Sequence, residues 1–193
     1  MNSKTIRFLA ILSWAVLAST LVAAKIDVRA DYDKMFDFKS IRTYAWHPGG
    51  AGEYKLLQAS GEDPETLRKL LEPTIVSAVE QNLASRGLSK ATAMPDVNVS
   101  YYVLIGPNIE SQTHGQFLRP VPEWGIAPFV PGTSSLEIYE QGSLILNIAA
   151  AAADKMIWRG SAKTEIDRQN SDAERNNRIR DAVRDMIKKL PKK

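Results

Sequence analysis

The amino-acid sequence predicts an α+β fold, a mostly antiparallel β-sheet with two helices packed on one face. Two observations lead to this prediction. Short segments alternate apolar and polar residues, as strands do, while two longer segments repeat apolar residues at helical spacing. Their order along the chain is strand, strand, helix, strand, loop, hairpin, strand and helix. Such an order favours a sheet of antiparallel neighbours with helices on one side, while the connection through the first helix could join parallel strands.

The first 24 residues differ from the rest of the chain. Lys4 and Arg7 precede an apolar run, Phe8 to Leu17, and small residues continue to Ala24. This order is that of a secretory signal peptide. The alternative is an uncleaved membrane anchor, but the run to Ala24 is at the short limit for a membrane span. We expect cleavage after Ala24 and a single α+β domain over residues 25–193.

Composition limits the classes of function. Apolar residues make up 44% of the 193 positions and charged residues 24%, which is typical of a globular protein with a core. Loss of Lys4 and Arg7 with the signal lowers the net charge from +3 to +1, so bulk charge gives no reason to expect nucleic-acid binding. Cysteine is absent from the sequence, which excludes disulfides and a cysteine-linked lipid anchor. We expect a periplasmic protein without a lipid anchor or a transmembrane span after cleavage.

The first half of the chain contains two strands and a helix. Residues 25–33 place Ile26, Val28 and Ala30 on one side of a strand, and residues 41–46 form a second strand, which ends at the turn sequence 47–50. Asp63 can cap a helix whose first residue is Pro64, and an apolar face recurs from Leu67 to Leu83. Pro73 lies inside this helix, where it predicts a kink or a restart.

The second half begins with the clearest strand pattern, residues 96–105. A loop rich in proline and glycine follows over 106–132, and residues 134–140 and 143–150 then predict a hairpin. A further strand ends near Lys163, and the last helix opens with a capping box at Ser171 and Glu174 and stops at Pro191.

Five consecutive alanines, Ala149 to Ala153, are a strong local signal for a helix. A run of five is too short to persist as a helix, and apolar alternation on both sides favours two paired strands that turn near Asp154. In the second of these strands, we expect Trp158 to fill the interface between sheet and helix and Gly160 to allow a close approach. Arg159 should point to the opposite face.

Three segments stand out when taken together: "DYDKMFDFKSIRTYAW", "PDVNVSYYV" and "KMIWRGSA", the last followed by a C-terminal helix ending in Leu-Pro. Their order resembles that of a bacterial envelope family, domain of unknown function 4136. The resemblance implies export, commonly as a lipoprotein, and a small α+β domain without established activity. It also marks a structural signature consisting of Tyr44, Trp46, Trp158, Arg159 and Gly160. This chain departs from the family in having no lipobox cysteine and in its proline-rich loop.

The sequence indicates no catalytic, metal or cofactor site. His47 and His114 are its two histidines, and neither has the spacing of a zinc motif. No nucleophile elbow, Ser-x-x-Lys pair or phosphate-binding glycine loop is present either. We therefore expect a non-enzymatic protein without cofactors. The alternative is a periplasmic hydrolase that uses His47 or His114.

The proline-rich loop predicts the best site for a partner. It carries Phe117, Trp124 and Phe129, aromatic side chains of the kind that anchor interfaces, although such residues also fold back onto their own sheet. We expect a binding module for an unknown envelope protein or lipid, acting through this loop or an exposed sheet face. A carrier of a small molecule or lipid is a third hypothesis.

Overall fold

A computed structural model describes residues 26–56, 63–105, 143–163 and 171–192, which form seven strands and two α-helices. In chain order the elements are β1 (Asp27–Tyr32), a 3-10 turn (Phe38–Ser40), β2 (Thr43–Trp46), β3 (Gly52–Leu56), α1 (Pro64–Ser85), β4 (Ser89–Lys90), β5 (Val97–Ile105), β6 (Ser143–Ala150), β7 (Lys155–Lys163) and α2 (Asp172–Lys188). The predicted signal segment 1–24 and the loop 106–132 lie outside the described residues.

The seven strands form one mixed sheet within the described ranges. Its order is β1-β7-β6-β5-β2-β4, and β3 pairs with β5 beyond the end of β2. The neighbouring strands β1, β7, β6 and β5 pair in antiparallel orientation. In the rest of the sheet, β2 and β3 each pair with β5 in parallel, and β4 pairs with β2 in parallel. The α+β class is therefore confirmed, with a parallel part beside the antiparallel one.

Two short strands, β3 and β4, are absent from the sequence prediction. β5 is nine residues long, and β2 pairs with its first part while β3 pairs with its second. The turn that was predicted to end β2 therefore separates two strands that share one neighbour. Strands of two to five residues carry little periodicity, so their pairing depends on β2 and β5 rather than on a local pattern.

Helix α1 has the predicted start. The Asp63 carboxylate accepts hydrogen bonds from the backbone N–H groups of Glu65 and Thr66, and Pro64 is the first helical residue. The helix continues through Pro73 as one element, so the predicted restart is wrong. Buried residues on both sides of Pro73, Leu71 and Ile75, hold the two halves on the same core.

The alanine run forms the end of β6 and the turn that follows it. Residues 151–154 make the turn, and β7 begins at Lys155, so the hairpin predicted near Asp154 is confirmed. A hairpin between 134–140 and β6 is wrong, because β5 and β7 already pair with both edges of β6 along its length. Residues 134–140 themselves lie outside the described ranges.

Both helices lie on one face of the sheet. Trp46 Nε1 donates to Glu80 of α1, and the Cβ of Met186 in α2 lies 3.2 Å from where a Cβ on Gly160 would stand. One cluster of buried residues joins this sheet face to the helices, among them Tyr101, Trp158, Val79 and Val183. No described helix has the length and apolar character needed to cross a membrane.

Candidate binding surface at one end of the sheet

Tyr44 and Trp46 connect β2 to α1. Trp46 Nε1 lies 3.0 Å from Glu80 Oε1, and Lys90 Nζ of β4 lies 2.6 Å from the same oxygen. These two hydrogen bonds, that of Lys90 first, lower the pKa of Glu80. Burial raises the pKa of Tyr44, whose side chain lies in the core. Both aromatic residues therefore stabilise the contact between helix and sheet.

Trp158, Arg159 and Gly160 contribute to both faces of the sheet. Trp158 is fully buried on the helix side, and its ring lies where a side chain on Gly160 would stand. Arg159 is buried too, and its Nε donates to Asn147 Oδ1 of β6 at 2.8 Å. Arg159 and Asn147 are directly opposite in the β6–β7 ladder, so the pair ties the two central strands together.

The other site residues suggested by the sequence cannot be placed. Phe117, Trp124, Phe129, His114 and Ala24 all lie outside the described residues.

Three described segments lie together at one end of the sheet, and we call them the turn surface: residues 33–37, 91–96 and 151–154. Asp33 follows β1, and its carboxylate pairs with Lys155 Nζ at 2.6 Å. The N–H of Ala151 donates to the carbonyl of Asp96, at 3.0 Å. The ends of β1, β7, β6 and β5 are thereby joined through polar contacts.

Asp96 holds this end of the sheet to β2. Its carboxylate accepts hydrogen bonds from the backbone N–H groups of Arg42 and Thr43, each at 2.8 Å, and from the Thr43 hydroxyl at 2.9 Å. These bonds, with that of Arg42 first, lower the pKa of Asp96. The pKa of Asp33 is lowered as well, chiefly by its hydrogen bond with Lys155. The turn surface is therefore fixed by carboxylates that stay ionised.

Two methionines of the turn surface project into solvent. Met35 is 92% exposed and Met94 is 94% exposed, and they are the two most exposed large apolar residues of the described chain. Met94 has φ of 45° although it precedes a proline, a backbone conformation that costs a non-glycine residue roughly 1–2 kcal/mol. Asp154, with φ of 48°, is the other non-glycine residue of positive φ in the described ranges. The two residues of strained backbone, Met94 and Asp154, and the two exposed methionines thus all belong to the turn surface. Local backbone strain is concentrated at functional sites in proteins.

Sequence reasoning missed both methionines. Each occurs singly among polar or small residues, and a single apolar residue in a loop is commonplace. The one available signal was the position of Met94 before Pro95 in a loop.

His47 lies close to this end of the sheet. Its Nε2 is 3.9 Å from Asp154 Oδ1, and its Nδ1 accepts a hydrogen bond from the N–H of Gly49 at 3.1 Å. An imidazole that accepts at Nδ1 carries its proton on Nε2 when neutral. Nε2, the nitrogen that faces the carboxylate, is then a donor and has no lone pair to accept a proton from a substrate.

The described residues hold no cluster of metal ligands. No three His, Asp or Glu side chains of the described ranges are grouped so that they could hold a metal ion. A small cavity of about 10 Å³ is lined by Phe38, Ile41, Arg86, Leu88, Leu190 and Pro191. That is room for about one water molecule.

Comparisons with known proteins address the family and the fold. No curated protein matches the sequence. Among solved structures, a DUF4136 family protein from Bacteroides thetaiotaomicron aligns with a TM-score of 0.52 and 16% identity, over 84% of this chain and 94% of that one. A PDZ domain protein from Parabacteroides distasonis gives a TM-score of 0.48 and 15% identity, over 88% of this chain and 37% of that one. PelC from Paraburkholderia phytofirmans, described as a dodecamer, gives a TM-score of 0.44 and 7% identity, over 88% of this chain and 99% of that one.

The family assignment agrees with the segments that suggested it. The family model for DUF4136, a domain of unknown function, matches residues 28–192. This range extends from β1 to the residues after α2. The chain therefore belongs to the DUF4136 family.

Proposed function

We propose that this protein is an exported, non-catalytic binding module of the bacterial envelope, which docks a protein partner through the turn surface. The observation that carries the proposal is the exposure of Met35 and Met94 at the same end of the sheet. Methionine is flexible and polarisable, so it adapts to an apolar pocket on a partner. Burying the two side chains on binding gains about 1.5–3 kcal/mol each.

The backbone around the methionines supports docking rather than random exposure. Met94 stands in a strained conformation between residues that are tied down, because Ala91 N donates to Tyr44 O and Asp96 binds β2. The backbone of Met35 is held in place as well, since its N–H donates to Asp33 Oδ1 at 2.9 Å. A surface held in this way loses little conformational entropy when a partner binds.

The test replaces Met35 and Met94 together with serine. Native mass spectrometry of the protein isolated from its own periplasm should show a bound protein other than a second copy of this chain with the wild type, and no such protein with the double variant. Leu70→Ser is the matched control, because Leu70 is an exposed apolar residue of α1 at 42% exposure, remote from the turn surface. If the double variant retains the partner, the turn surface is not the docking site.

Deletion of residues 121–131 tests whether the partner binds the proline-rich loop instead. The proline-rich loop, with Phe117, Trp124 and Phe129, is the alternative surface that the sequence suggests. Loss of the partner in the shortened chain, together with its retention in the methionine variant, would assign binding to that loop. A bound small molecule or lipid in place of a protein would favour the carrier hypothesis.

The hydrolase alternative has one direct test. His47 and His114 are its two possible bases, so the double alanine variant should lose any hydrolytic activity that the protein shows. The Nδ1 bond from Gly49 weighs against His47 in this role, because it favours the tautomer that carries its proton on Nε2.

Export is tested by the mass of the protein recovered from the periplasm. Cleavage after Ala24 predicts a chain that begins at Lys25. A full-length chain in the membrane fraction would contradict both the cleavage site and the periplasmic location.

A further inference from the structure

We propose that two copies of this chain pair through their β1 strands, in antiparallel register about a two-fold axis at Ala30. β1 is an edge of the sheet, and within the described residues no strand pairs with its outer side. An unpaired edge presents a row of backbone donors and acceptors, which is a template for another strand. The strand that fits this edge is a second β1, because the charges of Arg29 and Asp31 complement each other in one register.

The ladder with β7 shows which backbone groups face outward. Asp33 N donates to the carbonyl of Ile157, so the odd-numbered residues of this strand direct their backbone groups inward. The backbone groups of Val28, Ala30 and Tyr32 therefore face the open edge. Consistent with this, the N–H of Tyr32 donates not to a strand but to the Asp31 carboxylate, at 2.8 Å.

A two-fold axis at Ala30 uses all of these outward groups. Ala30 then opposes its own copy, and Val28 opposes Tyr32 on both sides of the axis. Because these are even-numbered residues, each of these pairs exchanges backbone hydrogen bonds. Arg29 and Asp31 fall opposite each other in the intervening pairs, where antiparallel side chains approach most closely.

Charge selects this register over its neighbours. An axis at Arg29 places two arginines opposite each other and sets Asp27 against Asp31. An axis at Asp31 places two aspartates together. An axis at Val28 pairs Asp27 with Arg29 but leaves Tyr32 beyond the ladder. The axis at Ala30 spans β1 and joins both Arg29–Asp31 pairs. It also sets Asp27 opposite Asp33, but the charge of Asp33 is already compensated by Lys155 Nζ at 2.6 Å.

Tyr32 supplies apolar contact in the same register. Its side chain is 39% exposed at the open edge, and in its own chain it makes an edge-to-face contact with Phe38, at 5.8 Å between ring centroids. Pairing places each Tyr32 beside the half-buried Val28 of the other copy. Asp31 is released from Tyr32 N when that N–H joins the ladder, and its carboxylate then faces Arg29. Arg29 already pairs with Asp27 at 3.1 Å, but both side chains are exposed, so that bond is weak and readily exchanged.

Charge exchange tests the register. Sedimentation equilibrium of the purified protein should show a dimer. Arg29→Asp and Asp31→Arg should each raise the dissociation constant of this dimer about tenfold, since each substitution creates two like-charge pairs. The double variant R29D/D31R restores two opposite-charge pairs and should recover most of the affinity. Lys69→Glu reverses an exposed charge on α1, away from β1, and should leave dimerisation unchanged.

A cysteine provides a second test that does not depend on charge. The chain has no cysteine, so Ala30→Cys introduces a single thiol at the proposed axis. Hydrogen-bonded antiparallel partners have Cα atoms about 5.5 Å apart, within the range that a disulfide spans. Mild oxidation should therefore link A30C into a covalent dimer. Ala84→Cys, on the exposed side of α1, should stay monomeric under the same treatment.

Three results would overturn the proposal. One is a wild-type protein that remains monomeric at the highest concentration that stays in solution. Another is a dimer that neither charge reversal affects. The third is equal cross-linking of A30C and A84C, which would indicate random collision. Far-UV circular dichroism of every variant separates loss of pairing from loss of folding.

Discussion

The glycine at position 160 is required by the indole ring two residues before it. A Cβ on Gly160 would stand 2.9 Å from Trp158 Cζ2, closer still to Cη2, and 3.2 Å from the Cβ of Met186. Trp158 is fully buried, so neither the ring nor α2 has room to move away. The Trp-Arg-Gly triplet is therefore explained by packing on one face of β7 and by the Arg159–Asn147 bond on the other.

Gly160→Ala should lower the free energy of unfolding by about 1–3 kcal/mol, because overpacking displaces a buried ring. Urea unfolding followed by circular dichroism measures this change. Ser161→Ala is the matched control on the same strand, since its half-buried side chain lies on the other face, and it should change stability by no more than about 0.5 kcal/mol. Equal stability of Gly160→Ala and the wild type would show that the indole ring adapts.

The sequence predicted that Trp158 and Arg159 lie on opposite faces of the sheet, because the alternation of side chains along one strand is a local property. It did not predict the role of Gly52. A Cβ there would overlap the ring of Tyr101, which comes from a different strand and is itself fully buried. Gly52 follows a turn sequence with two other glycines, so its local context indicates only a turn. The packing constraint comes from Tyr101 of β5, and no local pattern around Gly52 reports it.

At the scale of the element, α1 shows what tertiary packing can override. A proline inside a helix lacks a donor and crowds the carbonyl four residues before it, yet Pro73 lies in a helix of 22 residues. The apolar face of this helix is buried along its length, and that burial offsets the local cost. Periodicity predicted the element and its cap, whereas the proline suggested an interruption that packing prevents.

Pro73→Ala should stabilise the protein by about 1–2 kcal/mol. The substitution restores a helical donor, and the gain is reduced by the greater freedom of alanine in the unfolded chain. Pro73 is exposed, so no core contact is lost. Pro64→Ala is the control, because a proline at the first helical position lacks only a donor that has no partner there, and its removal should have little effect. A lower melting temperature for Pro73→Ala would show that the proline is needed for the path of the helix.

The start of β2 depends on one carboxylate. Asp96→Ala removes the acceptor of three hydrogen bonds from Arg42 and Thr43 and should cost about 1–2 kcal/mol at neutral pH. The folded-state pKa of Asp96 lies below its ordinary value of 3.8, so its contribution is present above that pH and is lost as the pH falls through the folded pKa. The stability difference between wild type and Asp96→Ala should therefore shrink below pH 3.8. A difference that stays constant across this range would show that the charge of Asp96 is irrelevant.

At the scale of the whole molecule, the fold class followed from patterns that each cover one element, whereas the sheet order did not. The parallel insertion of β2, β3 and β4 beside β5 depends on partners that lie far apart in sequence. The turn surface has the same origin, since its three segments lie at one end of the sheet only because β1 and β6 end there and β7 and β5 begin there. No local pattern carries that information, and so the sequence directed attention to the proline-rich loop instead.

Unfolding of the described fold should be a single cooperative transition. One cluster of buried residues extends from Phe38 through both helices to Trp158, so no element of the sheet has a core of its own. Urea unfolding should therefore give coincident curves by far-UV circular dichroism, which reports the backbone, and by near-UV circular dichroism, which reports packed aromatic rings. The Arg29→Asp variant, which should dimerise about tenfold more weakly, reduces the effect of self-association on the midpoint, while the wild-type midpoint should rise with protein concentration. If the aromatic signal is lost before the backbone signal, the helices separate from the sheet first. The buried cluster would then not unfold as one cooperative unit.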